Sequence, residues 1–292
     1  MSDATPPREA LRKLPVVATA REAYARVFGN PRLLARASLA PFCLSLALIV
    51  LSFTVPVVSA LGYLIGILGL LPYTFFGVAW HRLTLLGPVA GAPALLPGWT
   101  QRHWRFLGYL LATMLIGAGA AAAVFSLGLM VIQPGSGSLP AVAGLMPLAG
   151  FAMVAYVVIR LSFVFPAVSV DESYRLRHAW THTKGQGLRL LGATVIAAVP
   201  MVALVWGVNE ILGALLFAES APGQDGLPPV AQMEAFVEAN LGALLLIQTV
   251  TAATNYVLMA LMVSVISIAF RTCTGWVPAA GGVAVTPDDG GS

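Results

Sequence analysis

The chain has 292 residues, of which 58% are hydrophobic and only 10% are charged, and its mean hydropathy is +0.86. Soluble domains usually carry about 25% charged residues, and a water-soluble chain of this composition would expose large, aggregation-prone apolar patches. The composition therefore excludes an ordinary soluble domain and favours lipid as the solvent. The formal net charge of +4 suits a membrane surface or a nucleic acid, so the placement of the charges has to decide between them.

Six apolar segments are long enough to cross a bilayer, whose hydrocarbon core of about 30 Å takes about 20 residues of helix. In chain order they cover residues 37–53, 60–80, 106–132, 139–159, 190–208 and 241–270. The first two come from one uncharged run that is too long for a single span, and Pro56 gives it a place to turn. Strict alternation of apolar and polar residues, as in a transmembrane β-barrel, is absent. The sequence predicts an all-α fold, a polytopic transmembrane helical bundle of six spans with amphipathic helices in the cytoplasmic interface.

All 16 Lys and Arg residues lie before span one, between spans two and three, between spans four and five, or after span six. The other three connections contain no Lys or Arg, and the last of them carries Glu210, Glu219, Asp225, Glu234 and Glu238 instead. Positive residues accumulate on the cytoplasmic side of membrane proteins. The partition therefore predicts that both termini are cytoplasmic and that the acidic loop faces outward, and it favours a membrane over a nucleic acid.

Three regions follow from this topology. Residues 1–36 are predicted to form a cytoplasmic N-terminal arm with an interfacial helix, residues 37–270 the six-span membrane domain, and residues 271–292 a disordered cytoplasmic tail rich in Gly, Pro, Asp and Ser. The first 36 residues are too polar for a signal peptide. A weak similarity among the segments that end at Arg82, Arg160 and Arg271 suggests three repeated units of interfacial helix and helical hairpin.

Three cytoplasmic segments have the pattern of helices that lie in the membrane interface. In residues 15–28, one helical face is predicted to carry Val17, Ala20, Tyr24, Val27 and Phe28. Residues 99–105 form a short second segment. In residues 170–184, a capping box at 169–172 is followed by a helical period of Leu176, Ala179, Trp180 and Thr183. The alternative, that these helices pack on the bundle, stays open beside the interfacial interpretation.

Three motifs resemble a known group of proteins. The stretch 79–87, Ala-Trp-His-Arg-Leu-Thr-Leu-Leu-Gly, ends span two, and the stretch 160–167, Arg-Leu-Ser-Phe-Val-Phe-Pro-Ala, ends span four. The stretch 179–185, Ala-Trp-Thr-His-Thr-Lys-Gly, opens span five together with Leu188, Arg189 and Leu190. Over residues 20–272 the chain resembles uncharacterised six-helix bacterial inner-membrane proteins, a family similar to the membrane domain of glycerophosphoryl diester phosphodiesterases. The acidic residue expected after Leu-Leu-Gly is Pro88 here. The resemblance implies a bacterial inner membrane and brings no catalytic residues, and no phosphodiesterase catalytic domain is predicted.

Basic and aromatic residues at the predicted cytoplasmic border form the first candidate site. Lys and Arg beside a membrane attract anionic headgroups, each contributing about 1 kcal/mol near the surface, and Trp belongs to the interfacial aromatic belt. The candidates for lipid-headgroup or partner contact are Arg82, Arg160, Arg175, Arg177, Trp180, Lys184 and Arg189. They predict a non-enzymatic scaffold or accessory protein that engages anionic membrane lipids, or a membrane-protein partner, through its cytoplasmic face.

A polar face on span six supports an alternative, a transporter or permease for a small molecule or lipid. Gln248, Thr251 and Asn255 share one face of the predicted helix and could line a pathway, although such residues ordinarily hydrogen-bond between helices. No predicted span core holds an acidic or basic residue, which disfavours proton- or ion-coupled transport.

Signs of chemistry are few. The sequence contains no P-loop and no nucleophile turn, and no paired intramembrane Ser and His is predicted, so a membrane enzyme acting on lipid is the least supported hypothesis. His178 and His182 have a spacing that can hold a metal, but Arg175 shares their face and would repel a cation. No metal site, no cofactor and no nucleic-acid partner is predicted, and the oligomeric state stays open.

Overall fold

The computed structural model describes residues 13–55, 59–90, 98–131, 140–217, 237 and 239–278, which form helices and contain no strand. The helices are α1 (Val16–Phe28), α2 (Pro31–Ser52), α3 (Ala60–Leu68), α4 (Leu70–Ala90), α5 (Gln101–Val131), α6 (Pro140–Leu161), α7 (Val164–Ser169), α8 (Leu176–His182), α9 (Gly187–Phe217) and α10 (Leu241–Thr274).

Within these residues, six helical units are long and apolar enough to cross a membrane. They are formed by α2, by α3 with α4, by α5, by α6 continuing into α7, by α9 and by α10. Each unit coincides with one predicted span, so the prediction of an all-α bundle with six spans is confirmed.

The six spans form a closed ring in chain order. Helix α2 packs against α4, α4 against α5, α5 against α6, α6 against α9, α9 against α10, and α10 again against α2. Helix α10 also packs against α4 across the ring.

One end of the ring carries the positive charge, and we call it the basic end. Successive spans run in opposite directions, so the basic residues at their borders meet at the same end of the ring. These residues are Arg36 on α2, Arg82 on α4, Arg105 on α5, Arg160 on α6, Arg189 on α9 and Arg271 on α10. The structure thus brings together the charges that the sequence places between alternate spans.

The densest packing of the bundle lies near the basic end. Trp80 and Phe76 of α4 are fully buried and stack at 5.8 Å between ring centroids, and Phe163 meets Phe270 edge to face at the same distance. On α9, by contrast, every residue from 202 to 216 is at least partly exposed. On α9 the buried residues are therefore concentrated in the half nearest Arg189.

Helix α1 lies across the basic end and confirms the helix predicted for residues 15–28. It packs against α9 and α10 through buried Ala20, Ala23 and Val27. The Tyr24 hydroxyl donates to the Ala197 carbonyl at 2.9 Å, which ties α1 to α9. The packed-on-bundle interpretation therefore describes this face, while other apolar residues of the predicted face, Val17 and Phe28, are exposed.

The two other predicted interfacial helices differ from expectation. Residues 99–105 lead directly into α5, which begins at Gln101, so they are not a separate helix. The predicted helix over 170–184 is reduced to α8, and the predicted capping box is wrong. Asp171 has a left-handed backbone with φ of 63°, and its carboxylate lies 3.0 Å from Arg102 rather than at a helix N-terminus.

The last helix ends later than the predicted end of the membrane domain at residue 270. Helix α10 continues to Thr274, and the Trp276 indole N–H donates to Glu172 at 2.9 Å. The first residues of the predicted tail are thus tied to the bundle. Residues 1–12 of the predicted arm, residues 279–292 of the predicted tail, and residues 219, 225, 234 and 238 of the acidic loop lie outside the described residues.

Candidate functional site

The described acidic residues of the basic end are all engaged by neighbouring side chains. Glu22 contacts Arg271 at 3.0 Å and Arg26 at 3.3 Å. Asp171 contacts Arg102 at 3.0 Å and Arg82 at 3.7 Å, and Glu172 accepts from Trp276. Each of the two ion-paired carboxylates faces two arginines, so the basic end keeps an excess of positive charge.

Other cations of the basic end are exposed and have no carboxylate within 4 Å in the part of the chain that the structure describes. They are Lys13, Arg21, Arg32, Arg36, Arg105, Arg175, Arg177, Lys184 and Arg189. Four of them lie within α8 or beside it, in 15 residues of sequence. We define the α8 surface as Arg175, Arg177, Trp180, Lys184 and Arg189.

Apolar side chains accompany these charges. Trp180 is 41% exposed on the α8 surface, and the neighbouring Leu188 at the start of α9 is 75% exposed. Charged heads beside exposed apolar side chains match the boundary between lipid headgroups and acyl chains. The α8 surface therefore has both components of a lipid contact.

The other two candidates, Arg82 and Arg160, are not exposed members of the α8 surface. Arg82 donates to the Ser169 carbonyl at 3.1 Å and faces Asp171, so it links α4 to α7. Arg160 is buried, with 7% of its surface exposed. Both lie at the predicted border, but neither presents a free guanidinium to the surroundings.

The polar face predicted on span six lies far from the basic end. Twenty residues of helix rise about 30 Å, the thickness of the hydrocarbon core. Thr251 is 20 residues before Arg271, and Asn209 is 20 residues after Arg189. The Thr251 hydroxyl donates to the Asn209 side-chain oxygen at 2.7 Å. This hydrogen bond between α10 and α9 is therefore about 30 Å from the arginines of both helices, at the opposite membrane border.

The three residues of this face have different surroundings. Gln248 is exposed beyond Thr251, and Thr251 is committed to Asn209. Asn255 is half-buried and lies about 24 Å along the helix from Arg271. Thr251 thus makes a contact between helices, as such residues ordinarily do, and a pathway along this face stays a prediction.

Helix α9 is longer than predicted and carries an acidic residue. It continues to Phe217 rather than ending near residue 208, so Glu210 belongs to a spanning helix. Glu210 is exposed and follows Arg189 by about 31 Å of helix. It therefore lies at the border opposite the arginines.

A buried Ser–His pair corrects the expectation that no such pair exists. His81 Nδ1 lies 2.7 Å from the Ser267 hydroxyl, and one turn away the Trp80 indole N–H donates to Ser264 at 2.9 Å. Ser267 and His81 are both fully buried, so the pair is closed to the surroundings. Both hydrogen bonds join α4 to α10 across the ring.

His178 and His182 do not assemble a metal centre in the described structure, which contains no group of three His, Cys, Asp or Glu residues suited to an ion. A hydrogen bond of 2.6 Å joins His182 Nδ1 to the Tyr174 hydroxyl. Burial raises the pKa of Tyr174, so Tyr174 keeps its proton. Burial, followed by the nearby His178, lowers the pKa of His182 from its ordinary 6.5, which favours the neutral ring.

We expect His182 to titrate below pH 6.5, because burial and the nearby His178 both penalise the charged ring. Above pH 6.5 the ring is neutral in the folded and the unfolded chain. As the pH falls below 6.5, the unfolded chain binds the proton first, so the free energy of unfolding decreases. NMR titration of the His182 ring in nanodiscs measures the pKa, and a value at or above 6.5 in the unmodified protein would contradict the expectation.

The fold and the charge distribution define the class of protein. The chain is an integral membrane protein, an all-α bundle of six spans whose described Lys and Arg residues gather at one end. No family model, no curated protein and no solved structure matches this chain.

Proposed function

We propose that the protein is a non-enzymatic scaffold or accessory protein of a bacterial inner membrane whose α8 surface binds anionic lipid headgroups on the cytoplasmic side. The observation that carries the proposal is the set of four exposed cations between residues 175 and 189 with no carboxylate within 4 Å among the described residues. Exposed cations without a carboxylate partner attract anionic lipids at a membrane border. Of the four, Arg189 also donates to the Leu14 carbonyl at 3.3 Å.

The neighbouring apolar groups favour lipid over an acidic segment of a partner protein. Trp180 and Leu188 expose their side chains beside the cations, at the depth where a headgroup meets its acyl chains. Across the basic end, Trp104 and Phe28 are also more than half exposed. The positive-inside rule supports the cytoplasmic orientation, and the resemblance to bacterial inner-membrane proteins supports the choice of membrane.

Removing the four charges of the α8 surface should release anionic lipid. In the variant with Arg175→Gln, Arg177→Gln, Lys184→Gln and Arg189→Gln, each lost charge weakens binding about fivefold, the equivalent of about 1 kcal/mol. We expect the affinity for phosphatidylglycerol to fall by more than about tenfold even if the losses are not additive. Titration of the delipidated protein with this lipid, followed by native mass spectrometry, measures the change.

A variant of equal charge loss provides the matched control. Substitution of Lys13, Arg21, Arg32 and Arg36 with Gln removes four exposed cations from α1, its N-terminal approach and α2 and should leave most of the affinity in place. A zwitterionic lipid should bind both variants and the unmodified protein alike. Unchanged affinity of the α8-surface variant for phosphatidylglycerol would rule out the proposed function.

A further inference from the structure

Arg160 is a buried cation whose charge is not balanced by an acidic side chain. It lies in the last turn of α6 and is 7% exposed, and among the described residues no carboxylate comes within 4 Å of it. A buried charge without partners is strongly destabilising. The groups that do surround Arg160 must therefore compensate for the lost solvation.

Those groups come mainly from α8 and the turn that follows it. The guanidinium donates from Nε to the Thr183 hydroxyl at 2.9 Å, from Nη2 to the Trp180 carbonyl at 2.6 Å, and from Nη1 to the Tyr156 hydroxyl at 2.9 Å. Its central carbon lies 4.2 Å from the centroid of the Trp180 ring. Carbonyls at a helix C-terminus and the face of an indole ring both stabilise a cation. The hydrogen bonds of Arg160 thus join α6 to the end of α8.

Helix α8 is also attached near its start through Tyr174, whose ring packs on Phe270 of α10 at 5.8 Å. It packs against α6 and α7, and Ala179 is its fully buried residue. The segment that contains it is bounded by two left-handed residues, Asp171 with φ of 63° and Gly185 with φ of 76°. The end of α8 is therefore held against α6 by the hydrogen bonds that Arg160 donates to Trp180 and Thr183.

The start of α9 fits closely against the same side chain. A Cβ atom on Gly187 would come within 2.8 Å of Arg160 Cδ and 3.3 Å of the Tyr156 ring. Only a residue without a side chain allows α9 to begin directly beside Arg160. The aliphatic part of the arginine is thus enclosed by α6 and α9, while its guanidinium holds α8.

We propose that Arg160 is a positioning residue for the α8 surface and not itself a headgroup contact. By binding the Trp180 carbonyl and the Thr183 hydroxyl, Arg160 fixes the end of α8 and with it Lys184, the next residue along the chain. The same anchor holds the exposed face of Trp180 at the border. This inference rests on the proposed function, because it assigns a role in presenting the surface that binds the lipid.

Two threonines of the α8 region provide a matched pair of variants. The Thr183 hydroxyl accepts from Arg160 and is buried, whereas the Thr181 hydroxyl is exposed and donates within the helix to the Arg177 carbonyl at 2.9 Å. Thr183→Val leaves a buried charged donor unpaired and should increase cleavage of the segment 170–186 by a broad-specificity protease about tenfold. Affinity for phosphatidylglycerol should fall in parallel, while Thr181→Val should change neither measurement.

Arg160→Lys separates charge from geometry in the same assays. Lysine keeps the positive charge but lacks the planar fork that reaches several acceptors at once, so we expect faster cleavage and weaker lipid binding than in the unmodified protein. The inference is overturned if Thr183→Val and Arg160→Lys are cleaved at the unmodified rate, or if they are cleaved faster but bind lipid normally. If the α8-surface variant loses lipid while Thr183→Val does not, this inference alone fails; if the α8-surface variant keeps its lipid, the proposed function fails.

Discussion

Trp80→Ala should destabilise the bundle far more than Trp104→Ala, which removes an exposed indole at the same end. Trp80 is fully buried and stacks on Phe76, and its indole N–H donates to Ser264 at 2.9 Å. Truncation removes these contacts and leaves a cavity between α4 and α10, for which a loss of about 3–5 kcal/mol in the free energy of unfolding is typical. Steric trapping in bicelles measures this free energy without removing the lipid.

Trp104→Ala is the matched control, because it deletes the same side chain from an exposed position. Trp104 is 62% exposed at the start of α5, so we expect a change within about 0.5 kcal/mol. Ser264→Ala isolates the hydrogen bond, and bonds between membrane helices average about 0.6 kcal/mol. Equal destabilisation by Trp80→Ala and Trp104→Ala would contradict the central position of the contact between α4 and α10.

Hydropathy and charge were sufficient to predict the spans, because both depend on composition over about 20 residues. Side-chain partners, in contrast, depend on residues that are far apart in the sequence. Trp80 and Ser264 are 184 residues apart, and His81 and Ser267 are 186 residues apart. No local pattern marks a serine as the partner of a distant indole or imidazole, so the contact between α4 and α10 was not predicted.

In the candidate site, too, the local sequence did not identify the partners of the charged side chains. An arginine at a span border is expected to reach the headgroups, and this expectation put Arg160 in one set with Arg175 and Arg177. Whether such an arginine is exposed depends on the segment that folds back over it, here α8. The local pattern of residues 169–172 predicts a capping box, but Asp171 within it lies outside any helix, and its carboxylate contacts Arg82 and Arg102.

The orientation of the whole bundle in the membrane can be read from reporters inserted at its two ends. An outside-active reporter inserted at Gln224, between α9 and α10, should be active, and the same reporter inserted at Gly98, between α4 and α5, should be inactive. The connection that contains Gly98 lies at the basic end, where the described Lys and Arg residues gather, whereas residues 218–240 contain none. Since the positive charge of short connections sets the orientation, the two insertions should differ in an all-or-none manner.

A reporter that fluoresces only in the cytoplasm should give the reverse pattern at the two sites, which excludes poor expression as the cause of a missing signal. The lipid proposal depends on this result, because the α8 surface lies at the same end of the ring as Gly98 and can meet only the leaflet on that side.

The charge partition also predicts which substitutions weaken the preference for one orientation. Neutralising cations at the basic end should weaken the preference step by step, since each retained charge opposes translocation. Activity of the outside reporter at Gly98 in the unmodified chain would place the arginines on the outer side and leave the α8 surface facing the wrong leaflet.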